Sequence, residues 1–161
     1  MAITTKETLD FNKQQLEEER KKEVQKEFEE NKRNLYRFII ELQENRRKSV
    51  LIIKRPNYRF PGFQDAYKHK FMYGPALSTL AKDLSVIDEL CELYSSFDHA
   101  NLMVNMLDKC EAMIIYSESE KYKIRHRNVI NALKIHTEMS ISKQIDIVIE
   151  KLNKIHNSLN E

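Results

Sequence analysis

Glycine is nearly missing from this chain: two in 161 residues, against a usual share of about 7%. There are three prolines and no tryptophan. Both glycines and all three prolines fall between Pro56 and Pro75. Gly and Pro supply turns and sheet corners, so their absence elsewhere excludes a turn-rich β architecture and favours long helices with short joints. Two cysteines exclude a disulfide framework. Cys91 and Cys110 each fall on the apolar side of an expected helix and read as buried free thiols. No apolar segment follows Met1, and the longest apolar run, Val50-Leu51-Ile52-Ile53, is far too short to cross a bilayer. The expectation is a cytoplasmic protein without a membrane segment.

What the chain does have is charge and helical periodicity. Its length suits one domain with a sizeable core. Thr4 and Glu7 have the spacing of a capping box, and no breaker follows for over forty residues. The expectation is a helix over 5–47, about 65 Å long. Its first half carries few apolar residues and several favourable i,i+4 pairs, such as Glu17/Lys21, Glu18/Lys22 and Glu29/Arg33. That half reads either as a solvated projecting helix or as an intermolecular coiled-coil arm. From Phe28 onward the stripe improves through Leu35, Ile39 and Leu42, which marks a core-facing portion.

Residues 48–75 form a connector. The β-branched, apolar 49–54 fits either the end of the first helix or a short strand. A helical bundle over 76–159 follows. Its first helix shows the stripe Leu77, Leu80, Leu84, Ile87, Cys91, Tyr94, and Ser95-Ser96 reads as its joint. The next, about 97–116, offers Leu102, Met103, Met106, Leu107, Cys110, Met113 and Ile114. Ser117-Glu118-Ser119-Glu120 is a second capping-box pattern. Over 118–159 the pattern is one helix or two, because the stripe slips by a residue around 136–141. Its last part, Ile141, Ile145, Val148, Leu152, Ile155, Leu159, keeps a strict 4-3-4-3-4 spacing, the signature of a helix pair or coiled coil. The fold class is all-α: a long N-terminal helix, an irregular basic-aromatic connector, and three or four antiparallel helices. A homodimer or higher oligomer is expected through the C-terminal seam, the N-terminal arm, or both.

The connector is also the electrostatic anomaly. Between 46 and 70 stand eight Lys or Arg and one acid, Asp65, so this window carries +7 where the whole chain carries +2. Arg46, Arg47, Lys54, Arg55, Arg59, Lys68 and Lys70 interleave with Tyr58, Phe60 and Tyr67. Cations neutralise phosphates and aromatic faces stack on unpaired bases; Arg and aromatics are also the anchors of protein interfaces; or the rings simply pack while the cations reach outward. A second run, Lys121 to Arg127, holds Lys123, Arg125 and Arg127 without an acid. These cations, with Tyr58 and Tyr67, are the candidate binding residues.

Catalytic patterns are sparse. Asp88-Glu89-x-x-Glu92 and Asp108-x-x-Glu111 resemble the way all-α nucleoside-triphosphate pyrophosphohydrolases hold Mg²⁺ between helices, but the second motif is reversed. Glu89 and Asp108 also lie about 170° from the apolar stripes, so a site there needs another chain. The five histidines form no metal-binding spacing, and there is no phosphate loop or nucleophile elbow. No cofactor or metal is expected. The expected function is a small non-enzymatic helical binding or regulatory protein that recognises a nucleic acid or a protein partner through 46–73. The alternatives are an oligomeric all-α enzyme acting on nucleotides or RNA, and a structural component of a larger helical assembly.

Overall fold

A computed structural model describes residues 2–55, 59–60, 62–72 and 76–160. Among them the fold is all-α, without a strand. The elements are α1 (Ala2–Lys54), α2 (Lys68–Met72), α3 (Ala76–Leu80), α4 (Val86–Ser117), α5 (Glu120–His136), a π-turn (Thr137–Ile141) and α6 (Ser142–Ser158). Among the described residues no helix is long and apolar enough to cross a membrane.

α1 is one helix of 53 residues, about 80 Å long. It absorbs 49–54, which are therefore helical. Arg55 N–H still donates to Leu51 O (2.8 Å), and Pro56 in the sequence then disfavours the α region at Arg55 and ends the helix. The start differs from expectation. Thr4 lies inside α1, its hydroxyl accompanied by Thr8 Oγ1 donating to Thr4 O (2.7 Å), so it is not the cap. Residues 4–27 are exposed throughout. From Asn31 onward one face is buried, with Leu35, Phe38, Ile39 and Leu42 in the core.

The partner of that face is α6. Ile141, Ile145, Val148 and Leu152 are fully buried, and ion pairing of Arg46 with Asp146 (2.7 Å) and ring contact of Tyr36 with His156 set the two helices antiparallel. The regular C-terminal seam is thus filled by the chain's own first helix and is not free for a second copy. α4 runs in the same sense as α1 and antiparallel to α5–α6, as Gln144–Glu92, Lys151–Glu89, His126–Glu111 and His136–Ser96 show.

The one-residue slip at 136–141 is a π-turn inside one continuous helical path. Ser142 N–H donates to Thr137 O, five residues back, and the extra residue rotates the next helix so that Ile141 and Ile145 rejoin the buried face. Thr137, fully buried, satisfies its hydroxyl on Leu133 O (2.7 Å).

The joint expected at Ser95-Ser96 is absent: α4 passes through both serines for 32 residues. The break lies instead at 81–85, where the Asp83 carboxylate accepts Ser85 N–H (2.9 Å) and offers the backbone an alternative to the helix. That break resets the phase. α4 buries Val86, Leu90, Leu93, Tyr94, Phe97, Val104 and Leu107. Leu84 and Cys91, expected in the core, are exposed, as are Leu102, Met106 and Met113; Cys110 alone of the two free thiols is buried. At the far end Glu118 adopts the left-handed conformation (φ 51°) and closes α4 on Ile114 O. Ser117 is the last residue of α4 and bonds back to Met113 O, and Ser119 precedes α5 without a side-chain cap, so the second capping box is not formed.

Candidate functional site

Residues 59–60 and 62–67 lie outside any helix, and Phe60 and Phe63 among them are buried, so the backbone beside them needs partners. It finds them on α1 and α4. Lys48 Nζ donates to Gly62 O (2.9 Å). Asn101 on α4 accepts Phe63 N–H (2.7 Å) and donates to Phe63 O (3.2 Å). Asn45 on α1 treats the next residue the same way, accepting Gln64 N–H (2.9 Å) and donating to Gln64 O (2.8 Å). Glu41 accepts Ala66 N–H (3.1 Å) and that of Tyr67. Two side-chain amides thus do for consecutive residues what a neighbouring strand does in a sheet. Gly62 is required where it stands: its φ is +87°, and an added Cβ would meet Asn101 Oδ1 at 3.0 Å.

Below the clamped backbone the aromatic rings turn inward. Phe71 stacks on Phe38 (4.9 Å between centroids), Phe38 on Tyr94 (6.2 Å), Tyr94 meets Phe97 edge-on (5.3 Å), and Phe97 stacks on Phe63 (4.7 Å). Phe60 is buried as well. One column of rings therefore joins the connector to α1 and α4, each contact adding to plain area burial.

Glu41 is the one buried carboxylate among the described residues, 6% exposed. Burial pushes its pKa above the ordinary glutamate value; the N–H groups of Tyr67 and Ala66 and the Tyr94 hydroxyl (3.3 Å) pull it back, and Asp65 raises it slightly. Tyr94 is pushed far up by its own burial and then by the Glu41 charge. A raised carboxyl stabilises the fold below its unfolded pKa of 4.5 and loses that contribution as pH rises through the folded value. The stability gap between Glu41→Gln and the wild type is therefore expected to favour the variant more at pH 7 than at pH 5. Urea midpoints of both proteins at the two pH values measure it; a gap that does not move with pH would show that Glu41 is not titrating there.

The candidate cations divide. Arg46 pairs with Asp146, Arg47 with Glu44 (3.4 Å) and Lys123 with Glu120 (3.6 Å). Lys68, its side chain only 16% exposed, pairs with Asp98 (3.1 Å) and lies over the Tyr94 ring. Tyr67 is half-buried against the core. Lys54, Arg55, Arg59, Lys70, Arg125 and Arg127 are exposed, and none of them makes an ion pair among the described residues. Tyr58 lies outside the described residues.

Arg59 stands at a cleft of about 530 Å³ where the connector crosses α4, with Phe60, Gly62 and Phe63 on one wall and Asn101, Val104, Asn105 and Asp108 on the other. Arg125 lies elsewhere, against Met103, Met106 and Cys110. At 100° per residue those two sets of α4 positions sit about 180° apart. Arg59 and Arg125 are thus on opposite sides of α4, not on one surface.

The two acidic motifs fall on this single helix, about 28 Å apart along its axis between Glu89 and Asp108. Glu89 is paired with Lys151 (2.5 Å). Among the described residues no three His, Cys, Asp or Glu are placed to hold a metal.

Sequence reasoning missed Glu41, Asn45 and Asn101. A signal existed for two of them: Asn31, Asn34, Glu41, Asn45 and Ser49 interrupt the apolar stripe of α1 at positions that face the core, and all five are buried. Polar side chains repeated on a buried stripe announce backbone that needs partners. No family model, no curated protein and no solved structure matches the chain.

Proposed function

We propose that this chain is a non-enzymatic helical binding protein that recognises a protein partner at the cleft where the connector crosses α4, with Arg59 as its charged anchor. The observation that carries the reading is the clamped connector. Asn45, Asn101 and Lys48 hold residues 62–64 against two helices, and Arg59 lines the hollow beside them together with Asn105 and Asp108. Arg59, Asn101, Asn105 and Asp108 beside buried Phe60 and Phe63 mix charge, hydrogen-bonding groups and rings, a combination that suits a protein partner.

The same geometry weighs against nucleic acid. Phe60, Phe63 and Phe71 are buried and offer no faces to bases. Arg46, Arg47 and Lys68 are matched by acids of this chain, and Asp108 stands in the cleft itself.

Affinity capture with the wild type and with Arg59→Glu, identified by mass spectrometry, is the test. A partner enriched by the wild type and lost with Arg59→Glu, at affinity that changes little with salt, is expected. Fluorescence anisotropy with single- and double-stranded oligonucleotides runs beside it. Micromolar binding whose logarithm falls linearly with log salt, by about 0.7 to 0.9 per phosphate contact, would overturn the protein reading in favour of nucleic acid.

A further inference from the structure

A hollow of about 370 Å³ lies apart from both basic runs, where the end of α6 meets the middle of α1. Glu29, Lys32, Arg33, Tyr36 and Arg37 line it from α1 and His156 from α6. Helical geometry assembles it. Lys32, Arg33, Tyr36 and Arg37 fall within about 140° of one another around α1. Arg33 and Arg37 stand one turn apart, with Cβ atoms about 6 Å distant. Packing of α6 on the neighbouring stripe brings the His156 ring to Tyr36, at 5.6 Å between centroids and 35° between planes. Tyr36 still keeps 55% of its surface exposed.

The cations of this hollow are uncompensated. None of Lys32, Arg33 and Arg37 makes an ion pair among the described residues. Glu29 stands one turn before Arg33 in the favourable order, yet it accepts the Gln25 amide (3.1 Å) and forms no ion pair with Arg33. The carbonyl end of α6 does not engage them either. His156 O and Asn157 O already accept the N–H groups of Leu159 and Asn160 (3.2 Å each). Glu29 and the negative end of a helix, about half a charge, fall short of the three cations, so the hollow keeps a positive surplus. Like charges one turn apart repel unless an anion is shared between them.

We propose that this hollow binds a nucleoside phosphate, with its phosphoryl groups on Lys32, Arg33 and Arg37 and its base against the Tyr36 ring. An arginine fork takes two oxygens of one phosphoryl group at once, and the Lys32 ammonium adds a point charge. Cations gathered around one hollow call for a ligand with more than one negative charge; a single carboxylate leaves them unbalanced. The exposed Tyr36 ring supplies a stacking face that a bare phosphate does not use. Glu29, the one acid at the rim, has its second oxygen left for a sugar hydroxyl. Size agrees: about 370 Å³ is at the small end of ligand pockets, which run from roughly 300 to 1,000 Å³. That is room for one nucleotide. The hollow shares no residue with the Arg59 cleft, so the two readings stand or fall separately.

Isothermal titration calorimetry of the full chain with ADP, inorganic pyrophosphate and adenosine tests it. ADP is expected to bind once per chain, pyrophosphate about tenfold more weakly for want of stacking, and adenosine not measurably. Arg33→Gln with Arg37→Gln alters exposed side chains only and should weaken ADP and pyrophosphate alike, by about 100-fold. Tyr36→Ala should lower ADP to the affinity of pyrophosphate and leave pyrophosphate unchanged, while Tyr36→Phe keeps both. Arg125→Gln removes the same charge from a distant place and should change neither. Circular dichroism checks that each variant stays helical. No heat from ADP at millimolar concentration in low salt overturns the proposal. So does ADP binding that survives the double arginine variant, falls equally with Arg125→Gln, or is no tighter than that of pyrophosphate. A single-stranded oligonucleotide held more tightly than ADP, and released by the double arginine variant, overturns it in favour of a polymer.

Discussion

Replacing Ile145 and Leu152 together by aspartate is expected to unfold this protein, not to dissociate it. Both side chains are fully buried between α6 and α1. Removing a buried Leu or Ile costs about 2–5 kcal/mol through lost transfer energy and the cavity left behind. Each aspartate adds the cost of a carboxylate confined in the apolar core without a partner, which amounts to several kcal/mol more. Two such changes exceed the roughly 5–15 kcal/mol by which a domain is stable. Circular dichroism should show the loss of helix across the bundle, with thermal melting no longer cooperative. A well-folded monomer instead would mean that α6 packs on another chain and that its contact with α1 is dispensable. The same pair of residues thus discriminates between the two readings that a regular 4-3 seam allows.

Asn45→Ala with Asn101→Ala is expected to free the connector while the helices stay folded. Each asparagine serves both the N–H and the C=O of one connector residue, Asn45 those of Gln64 and Asn101 those of Phe63. A buried polar group left without its partner costs about 1–3 kcal/mol, and four part-buried groups lose theirs here. The chain has an escape: the segment can swing out to water at the expense of Phe60 and Phe63, whose burial ties it to α4. Hydrogen exchange at Phe63, Gln64 and Ala66 should therefore accelerate well before the amides of α4 and α6 do, and proteolysis should begin between Arg59 and Lys68. Any partner bound through Arg59 should be lost in step. Asn45→Asp keeps the acceptor for Gln64 N–H and turns the donor toward Gln64 O into a repelling oxygen, so it should fall short of full rescue. Unchanged exchange at Phe63 and Gln64 in the double variant would show that the aromatic column alone holds the connector.

Both experiments turn on residues of different legibility. Ile145 and Leu152 were plain in the sequence as members of one face, since helical periodicity is a local property of the chain. Asn45 was visible only as a polar residue out of place on the α1 stripe. Asn101 lay inside a helix whose phase had been misread, because Ser95-Ser96 looked like a joint and the Asp83 break did not. With the break placed correctly, Leu84 and Cys91 turn outward and Val86, Leu90 and Phe97 turn in. Of the candidate cations, the sequence marked where charge is dense. It did not reveal that Asp146 and Asp98 sit opposite Arg46 and Lys68, since those acids lie on other elements; Arg47 with Glu44 is a local i,i+3 pair that went unread.

By itself the sequence determined that the fold is all-α, that its first helix is long and sparsely apolar at the start, that this helix ends before Pro56, and that the register shifts once near residue 140. Each of these follows from short-range chemistry: helix propensity, the concentration of Gly and Pro in one stretch, and the spacing of apolar residues. Tertiary structure alone decided which face of α4 is inside, that α6 meets α1 of the same chain, that Phe60, Phe63 and Phe71 are core, and that Arg59 and Arg125 stand on opposite sides of one helix. Periodicity says which residues share a face. Where that face points depends on partners supplied from far along the chain, and their packing is settled only when all the helices bury their stripes together.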